Sequence, residues 1–118
     1  MSTENPSRPP LEALALTESM NSPNAALGDD GRAMGRWQVH PDWVDTWSKH
    51  YDIWARENET WDSRIERLVN AFIEDHRQFM SLVAVAMYFH LGHRAISTDK
   101  DWDADYAKKF AAFLGEQP

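Results

Sequence analysis

Residues 17–41, "TESMNSPNAALGDDGRAMGRWQVHP", decide how this chain is read. Upstream, Leu11, Leu14, Ala15 and Glu18 fall at i, i+3, i+4 and i+7, the spacing of one helical face, and Pro10 suits a first helical position. A short helix is therefore expected from about residue 10 to 20, with a carboxylate among its apolar positions. Asn21, Pro23 and Asn24 stop it. The glycine-punctuated segment after them contains Asp30-Gly31, a pair that supplies the positive φ angles of a tight turn, and predicts a small β-hairpin over about 25–40.

The rest of the chain reads as helices. Pro41 opens a segment in which Trp43, Val44, Trp47, Tyr51 and Trp54 line one face. Ile65, Leu68, Val69, Phe72, Ile73 and His76 repeat at 3.6-residue spacing and give the cleanest amphipathic pattern. From Gln78 to about Leu91 apolar residues occur on every side, the mark of a helix surrounded by protein. A last helix is expected from near Asp101, with Trp102, Tyr106, Phe110 and Phe113 on one face, until Gly115 stops it. The expectation is a mainly α fold, about five helices around a buried central helix with one small β-hairpin. Residues 1–9 read as a polar, proline-rich tail and 10–118 as one domain.

Composition narrows the function classes. Twelve Lys and Arg against 19 Asp and Glu leave a formal charge of −7, which disfavours nucleic acid and anionic membrane surfaces as partners. Cysteine is absent, so disulfides, thiol nucleophiles and thiolate zinc sites are excluded. The five histidines, at 40, 50, 76, 90 and 93, include no HExxH, and His90 with His93 is a pair without a clear third ligand; neither metal nor cofactor is expected. His76, on an apolar helical face, reads as a satisfied core or interface histidine. The start of the chain lacks the charged and apolar regions of an export signal, and "SLVAVAMYFHLG" is shorter than the roughly 20 residues that span a bilayer.

Glu18 is the candidate for chemistry. Burial disfavours the charged form of a carboxylic acid, and a glutamate tuned in this way can hold its proton near neutrality and act as a general acid. Cleavage of a glycosidic bond requires such an acid.

The residues also carry a resemblance. An apolar helix ending in Glu18-Ser19, a polar spacer, and a glycine-rich segment with Gly28, Gly31, Gly35 and then Gln38 is similar to the lysozyme-like transglycosylases. "MYFHLGHRA" stands where that family shows an aromatic residue and an Asn-Gly type turn, with His90 in place of the Asn, and "DADYAKKFAAFL" resembles its closing helix. The resemblance covers roughly residues 10–114 and is strongest between 14 and 41.

It implies a lysozyme-like α+β fold and cleavage of peptidoglycan between N-acetylmuramic acid and N-acetylglucosamine, with Glu18 as acid. A second carboxylate would come from Asp29 or Asp30 in a hydrolase; a lytic transglycosylase needs none. Ser19, Gln38 and His90 would meet the substrate or orient the acid. Tyr88 is a candidate to hydrogen-bond Glu18, and Trp37 is the best placed tryptophan to stack on a sugar face. Synthesis in the cytoplasm and delivery to the wall by a phage route fits the missing signal. The competing expectation is an inactive lysozyme-like scaffold for wall binding or phage assembly, to which the acidic charge adds weight.

Overall fold

The computed structural model describes residues 8–19, 34–91 and 104–115. Among them the chain is mainly helical, with five helices: α1 (Pro10–Ser19), α2 (Pro41–Tyr51), α3 (Trp61–His76), α4 (Leu82–Leu91) and α5 (Ala104–Leu114). No helix among the described residues is long and apolar enough to cross a membrane.

The 3.6-residue stripe of α3 organises the packing. Thr60 caps it, its hydroxyl accepting the N–H of Ser63 at 3.1 Å, and Ile65, Leu68, Val69, Phe72, Ile73 and His76 are all buried. The helix packs against α1, α2 and α4, while α5 packs against α1 and α4. The middle of the fold thus belongs to α3, and the expectation of α4 as the surrounded central helix is corrected. Val83, Ala84 and Tyr88 of α4 stay half-buried.

Two helix boundaries differ from expectation. Helix α2 ends at Tyr51 because Asp52 turns into the left-handed region at φ 55° and its N–H returns to the Ser48 carbonyl. Trp54 therefore leaves the packing stripe and becomes exposed. Helix α4 begins at Leu82, not Gln78. Phe79 and Met80 still donate to the His76 carbonyl, and Ser81 opens the new helix by accepting the Ala84 N–H at 3.1 Å.

Apolar rings fill the contact of α2, α3 and α4. Trp43 and Trp47 both lie against Phe72, at 5.5 and 5.0 Å between ring centres, and Phe89 meets Trp43 edge-on at 5.1 Å. His76 is buried beneath this cluster, and its Nδ1 meets the Phe72 carbonyl at 2.7 Å, so it is the satisfied core histidine its position predicts. On α5, Tyr106, Phe110 and Leu114 are buried, and Gly115 ends the helix at φ 86°. Asp101 and Trp102 lie outside the described residues.

Of the expected hairpin, residues 25–33 lie outside the described residues. Residues 34–39 form a tight turn with a single antiparallel bridge, Met34 to Val39, made by two 3.0 Å hydrogen bonds. Gln38 donates its N–H to the Gly35 carbonyl inside it. Gly35 has φ 77°, and a Cβ at this position would lie 2.7 Å from Cζ3 of Trp61. Backbone conformation and space both demand glycine here.

Candidate functional site

Glu18 is the penultimate residue of α1, one turn beyond the buried Leu14 and Ala15. Its side chain is only 11% exposed, as the shared apolar face predicts. Three helices converge on its carboxylate. The Tyr106 hydroxyl, from α5, donates to Oε2. His90, at the end of α4, places Nδ1 3.7 Å from the same oxygen. The imidazole also stacks on the Tyr106 ring, 3.8 Å between centres and 11° from parallel. A carboxyl group so held has little rotational freedom, and the Tyr106 bond distinguishes Oε2 from Oε1.

Ser19 joins this acid to the turn. Its hydroxyl lies 2.5 Å from the Arg36 carbonyl and 3.3 Å from that of Ala15, so a single proton serves the tertiary partner and the helix. Arg36 extends the connection to α3, with Nε 3.1 Å from Asp62 Oδ1, Nη2 2.6 Å from Asp62 Oδ2, and Nη2 3.1 Å from Glu66. Hydrogen bonding to Asp62 raises the Arg36 pKa above its ordinary value, against the opposing effect of burial. Glu18 therefore sits on a helix end fastened to a turn that is itself fastened to α3.

The remaining expected site residues divide. Gln38 adopts φ 48°, and its side-chain Nε2 donates to the Gly35 carbonyl at 2.9 Å, so this amide hydrogen closes its own turn. Trp37 is corrected: it is 1% exposed, with its indole N–H bonded to the Leu11 carbonyl at 3.0 Å and the Arg36 guanidinium 4.3 Å above the ring. No face is left for a sugar. The bond to Leu11 holds this side chain down on α1.

Tyr88 is also corrected as the partner of Glu18. Its ring belongs to the aromatic cluster, 5.2 Å from His76 and 5.5 Å from Phe72, and Tyr106 makes the bond to the acid. Tyr106 is the residue that sequence reasoning missed, although it offered a signal. In the stripe of Trp102, Tyr106, Phe110 and Phe113 it brings the one hydroxyl to an apolar face, and a buried hydroxyl needs a partner. Asp29, Asp30 and His93 lie outside the described residues. Among the described residues no three His, Asp or Glu side chains gather as a metal ligand set.

Comparison with family models, with curated proteins and with solved structures finds no match to this chain.

Proposed function

We propose that this chain is a lysozyme-like domain, with the hairpin that fold carries, and that it cleaves the glycan strand of peptidoglycan between N-acetylmuramic acid and N-acetylglucosamine. The observation that carries the reading is the nearly buried Glu18 carboxylate, with Oε2 held by Tyr106 and the His90 ring beside it. In its acid form Glu18 delivers its proton to the glycosidic oxygen as the bond from that oxygen to the anomeric carbon breaks. Positive charge then develops on the muramoyl ring, and the new Glu18 carboxylate lies close to it.

The same carboxylate next takes a proton back. If the donor is the muramoyl 6-hydroxyl, its oxygen closes on the anomeric carbon and the product is an anhydro sugar; if the donor is water, the product is a reducing end. Asp29 is the candidate for positioning that water. The Ser19 anchor keeps α1 and the Gly35–Gln38 turn in fixed relation, so that acid and neighbouring wall approach the strand together.

Clearing of purified peptidoglycan tests the assignment. Removal of a general acid costs about 10²- to 10⁴-fold, so Glu18→Gln should clear walls at least about a hundredfold more slowly than the parent. Equal clearing by both would refute Glu18 as the acid. Binding by both with clearing by neither would instead support an inactive wall-binding scaffold, the reading that the −7 charge favours. Mass spectrometry of the released fragments separates anhydro from reducing ends, and the protein's presence in phage lysates tests the phage route.

A further inference from the structure

With Trp37 in the core, the exposed tryptophans are elsewhere. Trp54 is 45% and Trp61 39% exposed, and both line one groove of about 450 Å³ between the Met34–Val39 turn and the starts of α2 and α3. That volume falls within the roughly 300–1,000 Å³ of small-ligand sites. Neither ring is loose. The Trp54 indole N–H donates to Asp52 at 2.9 Å, and its carbonyl accepts from Arg67 at 2.8 Å, while Arg67 is itself clamped on Glu59. Trp61 is pressed under Gly35, close enough to forbid a Cβ there.

Polar groups complete the groove. Arg64 lies with its guanidinium carbon 5.7 Å from the centre of the Trp54 ring and donates from Nη2 to the Ser48 hydroxyl at 2.8 Å. Its Nε is buried with no hydrogen-bond partner among the described residues, an unmet donor that costs free energy as it stands. Asp45 adds an acceptor, engaged among the described residues with the exposed Lys49 at 3.2 Å. Two fixed aromatic faces beside a guanidinium and a carboxylate describe a ligand with flat C–H faces and a hydroxylated edge. An apolar peptide side chain would satisfy the rings but leave the Arg64 Nε unmet and offer Asp45 no donor in exchange for its water.

We infer that this groove is a glycan-binding site separate from Glu18, in which a pyranose of the strand stacks on Trp54 or Trp61 and its hydroxyls meet Arg64 and Asp45. The inference takes its polymer from the proposed function, but binding is measured independently of cleavage. In a Glu18→Gln background, so that no strand is cut, a soluble N-acetylglucosamine tetramer is titrated against indole fluorescence, and purified sacculi are used in co-sedimentation. Trp54→Ala should weaken both by about tenfold and Asp45→Ala by about threefold, with melting curves confirming that the variants fold. Phe79→Ala, which removes an exposed ring at the α3–α4 turn outside the groove, should bind as the parent does.

Equal binding by the parent and both groove variants, or no binding of either glycan by the parent, overturns the site. Concentration-dependent dimerisation that Trp54→Ala abolishes, without saccharide binding, overturns it in favour of a second copy of the chain. Loss of cleavage chemistry with binding still dependent on Trp54 leaves the groove standing and removes only the proposed reaction.

Discussion

Replacing Gly35 by alanine should destabilise the fold by about 2–4 kcal/mol, and the structure divides that cost into two parts. The first is conformational: at φ 77° an L side chain sits in the left-handed region, at about 1–2 kcal/mol. The second is steric. The new Cβ would lie 2.7 Å from Cζ3 and 3.3 Å from Cη2 of Trp61, whereas carbon atoms rest about 3.5–4.0 Å apart, so the ring edge must retreat by roughly 1 Å. Overpacking of this kind costs about 1–3 kcal/mol, and the lower half applies because Trp61 has solvent on its other side. Against a total stability of about 5–15 kcal/mol the loss is large and should lower Tm by roughly 10–20 °C.

Urea unfolding of four proteins tests this: the parent, Gly35→Ala, Trp61→Ala and the double variant. The alanine at 35 should cost only its conformational part once the Trp61 ring is gone, so the two substitutions should show a coupling of about 1 kcal/mol. A Gly35→Ala effect below about 0.5 kcal/mol would refute both parts of the argument. The same loss in both backgrounds would refute the steric part.

Tyr106→Phe removes one oxygen and keeps the ring that stacks on His90; in the proposed reaction Glu18 starts neutral and gains charge as it gives up its proton, so the lost bond costs the difference, about 1 kcal/mol, which should lower kcat about fivefold with KM little changed, and an unchanged kcat would remove Tyr106 from the site. Acid stability reports on a different contact. Hydrogen bonds from Arg67 hold the Glu59 carboxyl down at about 2, below its ordinary 4.5, so the stability it contributes is complete above that ordinary value and is lost as pH falls from there through about 2. The stability gap between the parent and Glu59→Gln should therefore be widest at pH 6 and close across that window, and a gap constant with pH would contradict the assignment.

Local signals in the sequence carry most of the helices because their causes are local. Pro10 and Pro41 mark starts, Gly115 marks a stop, and the six positions of the α3 stripe are all buried. The errors arise where local signals run together. "QFMS" is apolar enough to extend the pattern of α4 backwards, yet it is the exit of α3, and Asp52 enters a left-handed conformation that no glycine announces. At the candidate site the acid was legible because its apolar neighbours share its face. Its tyrosine partner was not, since the sequence points to the Tyr88 hydroxyl and only helix packing shows that Tyr106 is the one that arrives. Trp37 failed for a different reason: its place beside the glycine-rich segment suggested a cleft, but its large apolar ring is buried in the core together with Val39.

The pairing of Glu18 with Tyr106 joins the first and last of the described helices, 88 residues apart, and this sets an order of events during synthesis. A growing polypeptide leaves the ribosome with its amino-terminal part first. Residue 18 is free to become helical early, but the hydroxyl that fixes its carboxylate follows 88 residues later, and α1 gains the α5 face it packs against only then. The arrangement around Glu18 is assembled only when translation has delivered α5, so shorter nascent chains lack it, and the carboxylate is not fixed in place before Tyr106 arrives.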